Sequence, residues 1–102
     1  MRETTERAEA LEGASVLYAK SWSSTTHYGE DEGELRRGLT AWCVEESWFA
    51  NARPDCRFMH CLPVRRGVVV RDEILDGPRS VVQLQARNRM WGQMAVLHRM
   101  LA

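Results

Sequence analysis

A thiol, a proline and two arginines lie close together near the middle of this chain of 102 residues. Residues 58–63 read Phe-Met-His-Cys-Leu-Pro, and Arg65 and Arg66 follow. The apolar start of this run predicts a short strand, and Pro63 would end it because proline cannot donate to a sheet ladder. Guanidinium groups bind planar anions in a fixed geometry. The pattern therefore predicts a site where the Cys61 thiol and a bound anion lie near one strand end.

A lysine follows another predicted strand. Residues 15–19 read Ser-Val-Leu-Tyr-Ala and combine β-branched and aromatic residues without helical spacing, which is typical of a buried strand. Lys20 comes directly after it. Further strands are expected at 56–61 and 80–84, and strands that alternate with helical segments predict a parallel sheet. Because ligands bind at the carboxyl edge of such sheets, we expect Lys20 and Cys61 to lie at one edge.

The other segments predict helices and loops that must position these residues. We expect a helix at 3–11 that Gly13 ends, a polar loop at 21–33, two short helical pieces within 34–52, a one-turn helix capped by Asp72, and a last helix at about 86–101. The last helix repeats apolar residues with spacings of three and four, so one face should be covered. These residues are Ala86, Met90, Met94, Leu97 and Leu101. Three strands are few for a parallel α/β sheet, which indicates part of a larger domain.

Three motifs of the chain, at 18–22, 60–63 and 86–89, resemble motifs of the transcarbamylases, in the same order along the sequence. His-Cys-Leu-Pro at 60–63 is similar to the signature of their amine-substrate domain. Tyr-Ala-Lys-Ser-Trp at 18–22 lies upstream, and Ala-Arg-Asn-Arg at 86–89 is similar to their Glu-Asn-Arg motif, with Arg87 in place of the glutamate. The resemblance implies an α/β fold with a partial Rossmann-like sheet. It assigns residues 1–102 to the C-terminal part of the ornithine-binding domain, without the carbamoyl-phosphate domain.

The resemblance also implies a substrate. Ornithine carbamoyltransferases have an aspartate at the position of Lys20, where it engages the free α-amino group, whereas the enzymes for N-acetylornithine and N-succinylornithine have Tyr-Ala-Lys-Ser-Trp. Acylation removes the α-ammonium charge, and a lysine can pair with the remaining α-carboxylate. The expected reaction is carbamoyl transfer from carbamoyl phosphate to the δ-amine of N-acylornithine, in arginine biosynthesis.

The same resemblance implies roles for individual residues. Cys61 and Arg89 are expected to be catalytic. The Cys61 thiol and the backbone carbonyl of Leu62 are expected to lie beside the carbamoyl group, and the Leu62-Pro63 peptide is expected to be cis. The expected substrate-binding residues are Lys20, His60, Cys61, Leu62, Arg65 and Arg89. His60 and Cys61 are adjacent in a strand, so their side chains point to opposite faces and cannot form a Cys/His dyad.

Composition limits the other possibilities. Fourteen basic and fourteen acidic residues balance, so no net charge favours nucleic acid. No apolar run is long enough to span a membrane, and the cytoplasm is expected, as is usual for a chain with an odd number of cysteines at irregular positions. We expect no cofactor and no zinc site. A nicotinamide-binding domain is disfavoured because no Gly-x-Gly-x-x-Gly run follows a strand.

Two alternatives remain open from the sequence. The chain is part of an ornithine carbamoyltransferase, or it is a catalytically silent remnant that acts as a binding module. For the complete enzyme the resemblance implies a homotrimer in which another domain holds most of the carbamoyl phosphate.

Overall fold

The computed structural model describes residues 2–22 and 32–102. Within these ranges, two parallel strands form the sheet: β1 at Val16–Ala19 and β2 at Arg57–His60. Val16 pairs with Arg57 and Ala19 pairs with His60. Since side chains alternate between the faces of a strand, Leu17 and Phe58 share the buried face. The fold is therefore α/β with a parallel sheet, as predicted.

The predicted third strand at 80–84 is wrong beyond its first residue. Ser80 forms a single parallel bridge with Phe58, and a helix begins at Val82. Val81 donates its N–H to the Phe58 carbonyl at 2.9 Å, while the Phe58 N–H donates to the Arg79 carbonyl at 2.8 Å. The following residues, Gln-Leu-Gln-Ala-Arg, favour helix, and this local preference ends the strand.

The helices agree with the predicted positions only in part. The first helix begins later than predicted, and the second begins inside the predicted loop, whose residues 23–31 lie outside the described part of the chain. Three helical segments, instead of the predicted two, lie between Glu32 and Phe49. The N-cap residue of the one-turn helix is Arg71 instead of the predicted Asp72. The last helix begins at residue 82, four residues before the predicted start at 86. The helices are α1 Arg7–Leu11, α2 Glu32–Gly38, 3-10 helices at Thr40–Trp42 and Glu46–Phe49, α3 Asp72–Leu75 and α4 Val82–Leu101.

The core lies against the Leu17 and Phe58 face of the sheet. Phe58 is fully buried, and Val44 and Val70 form a parallel bridge beside it. Gly13 has φ +65°, a conformation open to glycine, and it ends the turn after α1 as predicted. The apolar core residues are Leu11, Leu17, Val44, Phe49, Cys56, Phe58, Val70, Ile74, Leu75 and Val82.

Helix α4 leaves most of its apolar side chains exposed. Met90, Met94 and Leu97 are between 52 and 55% exposed, and Leu101 is 85% exposed. The predicted covering of this face is therefore absent among the residues that the structure describes. In the same ranges, no helix combines the length and the apolar character needed to cross a lipid bilayer.

Candidate active site

Lys20 and Cys61 lie side by side at the carboxyl edge of the sheet. The last paired residues of the two strands are Ala19 and His60, and each of the two polar residues follows one of them directly. Neighbouring strands are about 4.8 Å apart, so the two backbones leave the sheet as close neighbours. Both side chains are exposed. The arrangement places an ammonium group and a thiol at one edge, as the sequence predicts.

The chain turns immediately after Cys61. The Leu62-Pro63 peptide bond is cis, which confirms the expectation from the resemblance. Leu62 is 36% exposed, and Pro63 is exposed as well. The residues that follow the thiol are thus accessible at the surface of the edge.

His60 is placed differently from its neighbours at the edge. Its side chain is 1% exposed, and neither ring nitrogen has a hydrogen-bond partner. Burial lowers the pKa of the imidazole below its ordinary value, because desolvation disfavours the charged form. The ring offers no exposed polar atom at the edge, and its opposite orientation to the exposed Cys61 agrees with the absence of a dyad.

An arginine fork holds the loop that carries Arg65. Arg66 donates two hydrogen bonds to the Asp76 carboxylate, at 2.6 and 2.8 Å, and one to Asp72 at 3.0 Å. This geometry lowers the pKa of Asp76 below its usual value. Arg65 is exposed, and its carbonyl accepts the Val69 N–H at 3.0 Å. The sequence analysis missed this fork, although an arginine with aspartates six and ten residues later was visible.

A second residue that the sequence analysis missed is Gln85. Its side-chain Oε1 accepts the backbone N–H of His60 at 3.1 Å, and its Nε2 donates to the Tyr18 hydroxyl at 3.0 Å. Arg89 lies one helical turn further along α4 and is exposed. The first turn of α4 is therefore tied to both strands close to their carboxyl ends.

A cavity of about 310 Å³ is lined in part by the four residues of β1. Lys20 and Trp22 contribute to its lining, and so do Trp42 and Trp48, which form an edge-to-face pair with centroids 6.0 Å apart. The Arg7 guanidinium lies 4.5 Å from the centre of the Trp48 ring. The cavity is mainly apolar, and its lining includes the charged residues Arg7 and Lys20.

The family model for the aspartate/ornithine carbamoyltransferase Asp/Orn binding domain matches residues 1–100. The chain belongs to this family. Among curated proteins, it is 38% identical over 101 residues to the ornithine carbamoyltransferase of Bordetella avium, covering 99% of this chain and 32% of the relative. For that of Paracidovorax citrulli the identity is 40% over 93 residues, covering 91% of this chain and 30% of the relative. The chain spans about a third of the length of these relatives.

Solved structures of two kinds of transcarbamylase resemble this fold. The ornithine carbamoyltransferase of Thermus thermophilus has a TM-score of 0.81 at 32% identity, with 97% of this chain and 31% of that one covered. An N-acetyl-L-ornithine transcarbamylase variant, complexed with carbamyl phosphate and N-succinyl-L-norvaline, has a TM-score of 0.80 at 33% identity, with 92% and 29% covered. The similarity to these structures does not distinguish between ornithine carbamoyltransferases and N-acetyl-L-ornithine transcarbamylases.

Proposed function

We propose that this chain provides the amino-acid-binding part of a carbamoyltransferase that acts on N-acylornithine. The observation that carries the proposal is the placement of Lys20 and Cys61 directly after the paired residues Ala19 and His60, in a chain of this family. The rest of the site, above all the groups that hold phosphate, belongs to a carbamoyl-phosphate domain outside residues 1–102. A trimeric enzyme in the cytoplasm stays a prediction.

Lys20 is the basis for the acceptor. Its ammonium group would pair with the α-carboxylate of the substrate, an interaction strengthened because both groups are charged. Free ornithine carries an α-ammonium next to that carboxylate, and a lysine repels it. An N-acyl group removes this charge, so the lysine favours the acylated substrate over the free one.

The chemistry would take place next to Cys61. The δ-amine attacks the carbonyl carbon of carbamoyl phosphate and forms a C–N bond, which gives a tetrahedral intermediate with a negative oxygen. The C–O bond to phosphate then breaks, phosphate leaves with the electron pair, and the proton lost by the amine nitrogen passes to the departing phosphate. The Cys61 thiol and the Leu62 carbonyl orient the carbamoyl group, while Arg65 and Arg89 stabilise developing negative charge. The buried ring of His60 supports the strand end from the interior of the protein.

The second candidate is ornithine carbamoyltransferase, which the names of the curated relatives favour. A segment exchange can separate the two. Residues 1–100 would replace the matching segment in the Bordetella avium ornithine carbamoyltransferase and, in parallel, in an N-acetyl-L-ornithine transcarbamylase. For each chimera, kcat/KM would be measured with ornithine, N-acetylornithine and N-succinylornithine, with the two unchanged hosts as controls.

The expected result is a shift toward acylated acceptors in the ornithine host and a retained preference for them in the other host. A preference that follows the exchanged segment supports the proposal, because the remaining two-thirds of each host are constant. If both chimeras favour free ornithine, the second candidate is correct. If both chimeras fold but transfer the carbamoyl group to none of the three acceptors, while the unchanged hosts are active, the chain is a catalytically silent binding module.

A further inference from the structure

Gln85 occupies the place of a missing strand beside β2. In a parallel ladder, Phe58 and His60 direct their backbone groups to the same side of the strand. Phe58 finds its partners in Arg79 and Val81, but the chain then turns into α4 and offers His60 no strand backbone. The Gln85 carboxamide oxygen accepts the His60 N–H instead, at 3.1 Å. One side chain thus extends the ladder beyond the last backbone pair.

The same carboxamide also reaches the other strand. Its Nε2 donates to the Tyr18 hydroxyl at 3.0 Å. Tyr18 lies two residues before Lys20 on β1, and His60 lies one residue before Cys61 on β2. Gln85 therefore fixes α4 to both strands next to the two exposed edge residues.

The attachment of α4 through Gln85 also affects the position of Arg89. It is four residues beyond Gln85, which is a rise of about 6 Å and a rotation of only about 40° from the same helix face. The chain advances along the sheet, since Ser80 forms a bridge with Phe58 and the Gln85 side chain reaches His60, two residues further along β2. One further turn in this direction leads toward the strand ends that Lys20 and Cys61 follow.

We propose that Gln85 is a positioning residue that sets the rotation and height of α4, so that the Arg89 guanidinium stands over the edge with Cys61. The value of this placement for catalysis rests on the proposed function. The placement itself is a property of this chain, so its test does not depend on which acceptor is used. A role confined to stability would leave the distance between Arg89 and Cys61 unchanged in every folded variant.

The experiment uses the chain itself with a nitroxide on Cys61. Cys61 is exposed, whereas the other two cysteines, Cys43 and Cys56, are buried, so the label is selective. In ¹⁵N-labelled protein, the paramagnetic relaxation of the Arg89 Nε–H signal reports its distance from the label, and Arg89→Lys identifies that signal. The parent chain should show strong relaxation at Arg89.

Three variants of Gln85 separate hydrogen bonding from packing. Gln85→Ala removes both hydrogen bonds, and Gln85→Met removes them while it keeps the length of the side chain. Both should lower the relaxation rate at Arg89 several-fold, because this rate depends steeply on distance. Gln85→Glu should restore it near pH 7, since a carboxylate can accept the His60 N–H and the Tyr18 O–H. Gln83→Ala is the matched control, because Gln83 is an exposed glutamine in the same first turn of α4.

The proposal is overturned if the folded Gln85→Ala and Gln85→Met chains keep the parent's relaxation at Arg89, or if Gln83→Ala changes it equally. If Gln85→Ala fails to fold, Gln85→Met and Tyr18→Phe decide. Tyr18→Phe removes one of the two hydrogen bonds and should give an intermediate rate. An unchanged rate in both would show that α4 is placed by packing alone.

Discussion

Lys20 is the only lysine of the chain, and in the proposed function its charge selects the acceptor amino acid. In either chimera, Lys20→Ala should weaken the use of N-acylornithine by roughly 1.5 to 3 kcal/mol, the range for a hydrogen bond to a charged group. This corresponds to a fall in kcat/KM of about ten- to 150-fold. Lys20→Asp should do more, because a carboxylate repels the α-carboxylate of the substrate.

Two controls make the Lys20 result specific. Lys20→Arg keeps the positive charge and should retain more activity than Lys20→Ala. Lys20→Asp should improve the use of free ornithine relative to N-acetylornithine, since it can pair with the free α-ammonium. Unchanged acylornithine kinetics in Lys20→Ala would remove both the role of the lysine and the basis for the acceptor.

Thiol reactivity offers an independent test of the edge. Burial raises the pKa of the Cys43 and Cys56 thiols, so little of either is the reactive thiolate near neutral pH. A disulfide reagent at pH 7.5 should therefore modify one thiol rapidly in the folded chain and three in denaturant. Cys61→Ser should abolish the rapid phase. A rapid phase that survives this substitution would show that Cys43 or Cys56 is accessible, against their burial in the structure.

The placement of Lys20 and Cys61 at one edge of the sheet could be predicted, since both directly follow residues of recognisable strands. Residues that act across the fold could not. The Gln85 side chain meets Tyr18 across 67 positions of sequence, and only the path of the chain brings them together. The burial of the His60 ring was equally hidden, because alternation along a strand does not tell which face is covered.

At the scale of elements, the loop after the cis peptide depends on the Arg66 fork. Asp76→Asn should leave Arg66 with Asp72 as its remaining acidic partner and loosen the loop at pH 7. The expected result is lower hydrogen-exchange protection of the Gly67 and Val69 amides, which donate to the Val70 and Arg65 carbonyls at 2.9 and 3.0 Å. Asp55→Asn, at the separate Arg53–Asp55 pair, is the matched control and should leave these amides unchanged.

The same fork predicts a dependence on pH. The folded pKa of Asp76 lies below its usual value of 3.8 because Arg66 donates to the carboxylate. A depressed pKa contributes stability that is present above 3.8 and is lost as the pH falls through the lower folded value. Loop protection, corrected for intrinsic exchange, should thus hold at pH 5 and fall below pH 3.8. In Asp76→Asn this step should vanish, and a step of the same size in that variant would contradict the assignment.

Elements were predictable where one local signal dominated. The strands around Leu17 and Phe58 and the turn at Gly13 needed only apolar pattern and glycine. The segment after Ser80 combined strand-forming valines with helix-forming glutamine, leucine and alanine. The segment forms a helix after a single backbone bridge at Ser80, and the Gln85 side chain accepts the next hydrogen bond from β2.

At the scale of the whole molecule, the chain is extended for its length. Its radius of gyration is 15.9 Å, whereas about 13 Å is typical of a compact domain of this length. The exposed apolar residues of α4 and the two-stranded sheet point in the same direction. Sequence patterns identified the strand ends because their signals are local, whereas these features of the whole molecule depend on how the elements pack.

The last prediction is that this chain alone does not transfer the carbamoyl group at a measurable rate. A site that orients both substrates contributes roughly 7 to 11 kcal/mol to lowering the barrier, and these residues contain no Ser-Thr-Arg-Thr phosphate-binding run. Pure chain would be assayed with carbamoyl phosphate and N-acetylornithine, after expression in a host that lacks its own carbamoyltransferases. The chimera with the same residues serves as the positive control. Citrulline-type product from the pure chain, lost again in Lys20→Asp, would show that the edge catalyses transfer without a second domain.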